Sequence, residues 1–135
     1  GAYVDIDISE QHVRYYDAND NLLWESGCIT GNPNEGNDTP TGIYSINNLE
    51  RDVALVGKKD PATGEPEYVS YVDYWMSFIG SAIGLHDANW QASSSFSDPT
   101  AYTWTGSHGC VNLPPDKAAE LFGILQVGDC VIVHN

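Results

Sequence analysis

Positive charge is what this 135-residue chain has least of: five Lys and Arg stand against 19 Asp and Glu, for a formal net charge of -14. Arg14, Arg51, Lys58, Lys59 and Lys117 are scattered and form no stripe that would neutralise phosphates, which excludes nucleic acid as a partner. The same acidity repels anionic membranes and polymers, so a cationic or zwitterionic substrate fits this surface better. Long apolar runs are missing too. None reaches the roughly 20 residues that span a bilayer, and no signal-peptide pattern follows Gly1. An export signal or anchor is therefore expected upstream. Cysteine is sparse, and three is an odd number that leaves one thiol free if the other two pair. Cys28 and Cys130 each precede a β-branched residue, Ile29 and Val131, on expected strands. They read either as a disulfide between neighbouring strands or as buried thiols packed like small hydrophobes.

What is present reads as one globular domain over residues 1–135, long enough to bury a single core without staples. Val4, Ile6 and Ile8 alternate with Asp5 and Asp7, the period of a half-buried strand, and His12 to Tyr16 repeats it. The turn cluster Asn19-Asp20-Asn21 leads into a third strand over 22–30, giving an antiparallel meander. Thr39-Pro40-Thr41-Gly42 sets a turn before a strand over 43–47, and a further strand is expected over 51–56. Lys58 to Glu67 is an exposed polar loop by its charges, prolines and glycine.

Residues 68–79 are aromatic and β-branched, and a short strand ending at Leu85-His86 is expected to deliver His86 to a surface edge. Residues 88–105 show no clear period; a loop of that length inside a compact domain is usually functional. After Pro114-Pro115-Asp116, Ala118, Leu121, Phe122 and Leu125 have helical spacing, with proline suited to the first turn. A final strand spans 130–134. The fold class is mainly β with one helix.

The chemistry concentrates in Ser107-His108-Gly109-Cys110-Val111-Asn112. Glycine lets the backbone turn sharply there and aim the Gly109 and Cys110 N–H groups at a developing oxyanion. A free thiol has a pKa of about 8.5, so Cys110 needs a histidine or a local dipole to become a nucleophile at neutral pH. His86 and His108 are both candidates, and residue spacing alone does not choose between them.

That hexapeptide, preceded by Gly84-Leu85-His86, resembles the motif of the L,D-transpeptidase (YkuD-type) family. The likeness extends to Thr30-Gly31, Thr39 to Tyr44, Tyr74-Trp75-Met76 and the closing strand. It implies a β-sandwich of mixed sheets with one helix after the catalytic Cys110 and a long loop between active-site His and Cys. It implies His86 as the base, oriented by the Asp87 carbonyl, and His108 as a residue lining the site that supports substrate or oxyanion. Gly109 and Cys110 would donate N–H groups to the oxyanion. Ser107 and Asn112 are structural supports of the segment and, with Trp75 and Trp90, the positions expected to meet substrate.

The implied reaction is attack of Cys110 on the carbonyl between the diamino acid at stem position three and D-Ala at position four of peptidoglycan. D-Ala leaves, and the thioester passes to an acceptor amine as a 3→3 cross-link. No metal or organic cofactor is needed for such acyl transfer. The implied partners are tetrapeptide stems as donor and acceptor, with carbapenem β-lactams as inhibitors. A monomer is expected, extracellular at the bacterial wall or anchored facing it, with any wall-binding domain outside this chain.

The sequence departs from the family pattern in a longer stretch between His86 and Ser107, and in Asp87, where glycine or serine is common. That carboxylate is expected to raise the basicity of His86 or to bind a substrate amine. Water as acceptor would make the protein an L,D-carboxypeptidase, and a lipoprotein lysine is another possible acceptor. Outside this class stand a metal site built on His86, His108 and Cys110, which lacks CxxC or HExxH spacing, and a non-catalytic wall-binding module using the aromatics. His12 and His134 are read as ordinary strand residues.

Overall fold

The computed structural model describes residues 1–135. Strand β1 (Tyr3–Asp7) buries Val4 and Ile6 completely and turns its acidic residues outward, as the alternation requires. Strands β2 (His12–Tyr16) and β3 (Leu22–Gly27) follow in antiparallel register. Asp17 closes the turn between them by accepting from the Asn19 and Asn21 amides at 2.8 and 2.9 Å. The last strand of the chain, Cys130–His134, adds to the other side of β1 in parallel and pairs antiparallel with β4 (Gly42–Ser45).

The second sheet holds β5 (Asn48–Val56), β6 (Val69–Ile79), β7 (Ile83–Asp87) and β8 (Val111–Leu113), in that order, with β7 and β8 parallel. The closing strand is β9. Between the two mixed sheets lies one core. Val4, Ile6 and Val13 face Met76, Leu85 and Val111 across it, and helix α2 (Pro115–Ile124) adds Ala118 and Leu121, both fully buried. The expected mainly β architecture with one main helix holds, and no helix is long and apolar enough to cross a membrane.

Four local expectations change. The third strand stops at Gly27, where the Phe96 carbonyl occupies the place a side chain would take, and the chain then leaves the sheet. β5 begins at Asn48, three residues before the expected start. The stretch 88–105 contains a 3-10 turn (Ser93–Ser97) and a short helix, α1 (Tyr102–Thr105), packed by Phe96 and Tyr102 against Ile29 and Ala88. His86 does not reach a surface edge. β7 is an interior strand between β6 and β8, and His86 is 3% exposed.

The cysteines do not pair. Cys28 is fully buried and free, and Cys130 is free and half-buried. Cys130 stands opposite Tyr3, whereas Cys28 bonds to the Gln11 carbonyl beside His12, which pairs with Asp7 at the far end of β1. Four residues of strand separate those ends by about 13 Å, and a disulfide needs Cα atoms within about 7 Å. His12 and His134 sit on strands as expected, 2.7 Å from Glu25 and 2.8 Å from Asp5.

Helix α2 lies on β6 and β7 through its apolar stripe, so it braces the strand that carries His86. Leu121→Ala empties a fully enclosed position and is expected to cost about 3 kcal/mol, read as a lower midpoint with an unchanged slope in urea unfolding.

Candidate active site

Strands β7 and β8 run parallel with Leu85 opposite Val111 and His86 opposite Asn112. Cys110 therefore stands one residue before β8, where Gly84 lies alongside. Cys110 and His86 reach a cleft of about 820 Å³, whose lining also includes His108, Trp75 and Trp90. Ser107 and Asn112 line it as well.

The segment from Ser107 to Asn112 is an arch with both feet on residues 29–32. The Ser107 amide donates to the Thr30 carbonyl at 3.0 Å, and the Asn32 amide to the Ser107 carbonyl at 2.9 Å. At the other foot Ile29 and Asn112 exchange amide bonds of 3.0 and 2.8 Å. Gly109 at the crown has φ 132°, a conformation that side chains strongly disfavour.

Its amide donates to Ser107 Oγ at 3.1 Å, and Ser107 Oγ in turn donates to the Cys110 carbonyl. Thr39 Oγ1 donates to the Gly109 carbonyl at 2.7 Å and accepts from the Gly31 amide at 3.0 Å. Of the two amides expected to face an oxyanion, that of Gly109 is engaged by Ser107, and that of Cys110 makes no hydrogen bond within the chain. By its residues the Thr39 stretch reads as a turn, and the family likeness that includes it gives Thr39 no role in the site. The hydroxyl's grip on the arch depends on a contact 70 residues away, which no local pattern carries.

His86 is anchored from behind. Its Nδ1–H donates to the Asp87 carbonyl at 2.7 Å, which leaves Nε2 as the acceptor nitrogen. The ring lies between Trp75 and Trp90, at centroid distances of 6.0 and 5.8 Å. Trp75 is buried and Trp90 is half exposed. Burial holds the imidazole below its ordinary pKa, against the opposing pull of the Asp87 carbonyl and carboxylate.

The Asp87 carboxylate adds only the smallest of the influences on the His86 ring, which burial dominates, and it does not meet the cleft. It is buried, accepting from the Asp73 and Tyr74 amides of β6. The expectation that it binds a substrate amine is therefore corrected: its oxygens are taken by backbone.

Cys110 Sγ donates to the Ala82 carbonyl at 3.5 Å and makes no hydrogen bond to His86. Enclosure by the cleft floor pushes the thiol up to about 11, partly offset by the Gly84 amide. His108 occupies a different setting. Its ring is exposed, stacks on Tyr68 at 4.4 Å, and has Nε2 3.4 Å from Glu67 Oε1. The structure thus separates the two histidines that spacing left equal: one is buried and held in a single tautomer, the other joins the polar loop. Asn112 is buried with Oδ1 unpartnered. No group of three or more His, Cys, Asp or Glu converges to hold a metal, so the alternative that places His86, His108 and Cys110 on one ion lacks its geometry.

A family model described as the L,D-transpeptidase catalytic domain matches residues 1–133. Among curated proteins, L,D-transpeptidase 1 of Mycobacterium tuberculosis is 31% identical over 97 residues, covering 70% of this chain and 36% of that protein. Among solved structures, an L,D-transpeptidase of Enterococcus faecium is 33% identical with a TM-score of 0.85, covering 98% of this chain and 49% of that one. The catalytic domain of the E. faecium L,D-transpeptidase acylated by ertapenem is 34% identical with a TM-score of 0.79, covering 98% of this chain and 96% of that one. The chain spans about a third of the curated relative and nearly all of an isolated catalytic domain. By sequence, by fold and by the motif that carries Cys110, it belongs to the L,D-transpeptidase (YkuD-type) catalytic-domain family.

Proposed function

We propose that residues 1–135 are the catalytic domain of a peptidoglycan L,D-transpeptidase that works outside the cell at the bacterial wall. The observation that carries this reading is a free Cys110 amide and thiol on a braced arch, sharing a cleft with a histidine whose Nδ1 is committed to a carbonyl.

Nε2 of His86 takes the thiol proton as Sγ attacks the carbonyl between the diamino acid at position three and D-Ala at position four. The attack requires Sγ to turn from the Ala82 carbonyl toward the base, a movement consistent with catalytic hydrogen bonds that tighten only with substrate bound. The Cys110 amide faces the resulting oxyanion. As the tetrahedral intermediate collapses, the C–N bond breaks, His86 returns the proton to the leaving amine, and D-Ala departs. The thioester is then attacked by an acceptor amine, whose proton passes to His86 as the C–S bond breaks, and the thiol is regenerated with a 3→3 cross-link formed.

Thiol and imidazole are both neutral at rest, since burial disfavours each charged form. The base therefore acts during attack and not by storing a thiolate. Trp90 offers an exposed face to the stem, Trp75 supports the His86 ring from within, and His108 lines the cleft beside Tyr68 and Glu67. Relatives solved with ertapenem and imipenem support carbapenems as inhibitors of this chain.

Incubation with a carbapenem is expected to add one adduct to the intact mass of the parent and none to Cys110→Ala. With a tetrapeptide stem the parent should release D-Ala and form a dimer. Tripeptide alone would mean water is the acceptor, and stem binding without turnover in both proteins would favour the wall-binding module. Alkylation of the free enzyme by iodoacetamide should climb steadily through pH 8 to 10 toward a midpoint near 11; a plateau below pH 8 would contradict the neutral pair. The acid limb of kcat/KM should lie below the ordinary histidine value of 6.5, because His86 must be neutral to accept the proton. Thr39→Val frees the Gly109 carbonyl and is expected to lower kcat about tenfold by loosening the Cys110 amide, with a thermal scan reporting a modest loss of stability.

A further inference from the structure

Asp87 is the only carboxylate among the buried residues, and its side chain takes no part in the acyl transfer. A buried charge is costly unless it is fully hydrogen-bonded, and its partners identify what it does. The β6–β7 ladder ends at the pair Trp75 and His86. Beyond it β7 turns toward β8, pairing as far as Asp87 with Leu113, while β6 runs on toward Val69 with β5 as its only neighbour. The outer parts of β5 and β6 therefore form a two-stranded arm with no third strand beneath it.

At the root of this arm the Tyr74 amide lies just beyond the end of the β6–β7 ladder, and the Asp73 amide at the position that the β5–β6 pairing skips. Both go to Asp87: Oδ1 accepts from Asp73 at 3.0 Å and from Tyr74 at 2.8 Å, and Oδ2 from Asp73 at 3.0 Å. Asp52, which the register places opposite Asp73, has φ 57°, and the β5–β6 pairing skips that position. The arm bends there. Beyond the bend Leu55 and Ser70 line the cleft, and the arm's loop brings Glu67 and Tyr68 onto His108.

One residue thus holds two parts of the site. The Asp87 carbonyl holds the His86 ring, and its carboxylate grips the bend through three hydrogen bonds of 2.8 to 3.0 Å from two consecutive amides. We propose that the Asp87 carboxylate is a positioning residue that clamps the root of the β5–β6 arm and so sets the cleft wall at a fixed distance from the base. This rests on the reading of His86 and Cys110 as the reacting pair. The wall contacts substrate and the carbonyl serves the base, so the two effects separate: losing the carboxylate frees the wall and leaves His86 held.

The test compares the parent with Asp87→Asn, which keeps the volume but turns an amide N–H₂ toward backbone donors, and with Asp87→Gly, which keeps only the carbonyl. NMR amide exchange at Asp73 and Tyr74 should quicken at least about tenfold in both variants. KM for a tetrapeptide stem should rise about tenfold while kcat stays within about threefold, the pattern of lost uniform binding. The pH profile of Cys110 alkylation should not move. A parent-like KM in both variants overturns the proposal whatever the exchange rates, and so does a fall in kcat at constant KM, which would place the carboxylate's effect on the base. If the parent does not turn over stems, the second-order rate of carbapenem acylation replaces KM. Unchanged exchange at Asp73 and Tyr74 overturns the clamp even for an inert parent.

Discussion

The parallel pairing of β7 with β8 is the contact on which the rest of the site depends. It spans three residues on each strand, yet it places a histidine and a cysteine that lie far apart in the chain on one cleft. So short a strand has little pairing of its own. It holds because Val111, Asn112 and Leu113 are buried, and because the two feet of the arch bond to Thr30 and Ile29, through Ser107 and Asn112 respectively. Helix α2 follows at once and lies on β6 and β7, so the residues after Cys110 cover the strand that carries His86. Packing, pairing and chain order agree at this point, which is what allows a reactive loop to be held still.

Burial sets the chemistry as much as it sets the fold. The cleft withdraws water from Cys110 and His86, and each responds by favouring its neutral form. The Cys110 amide has no partner within the chain. Its orientation comes from a relay of ordinary hydrogen bonds: Ser107 takes the Gly109 amide, Thr39 takes the Gly109 carbonyl, and the Cys110 amide is left over.

Around this centre the protein uses side chains where strands part company. Asp87 replaces a missing strand at the root of the β5–β6 arm, and Thr39 bridges Gly31 to Gly109 where no ladder runs. Backbone donors and acceptors released by a bend or an arch must find partners somewhere, and here the partners are single residues next to the reacting groups. The wall of the cleft and the position of the base are thereby linked through very short paths.

Much of this was legible in the chain itself. Alternation in residues 2–16 specifies the meander because a strand's side chains change faces with period two, and the stripe of Ala118, Leu121 and Leu125 specifies α2 because a helix returns to the same face every three or four residues. The Ser107 to Asn112 motif singled out Cys110 as the candidate nucleophile, since glycine beside cysteine has a local conformational meaning. Long-range contacts were not legible. The burial of His86 depends on a strand contributed from beyond the long loop, and the unpaired state of Cys28 and Cys130 depends on which ends of β1 they meet. The grip of Thr39 on Gly109 and the engagement of Asp87 with β6 belong to the same class. Periodicity and turn chemistry act between near neighbours and are written in the sequence; which donor meets which acceptor across the sheets is decided only when the two faces close on one core.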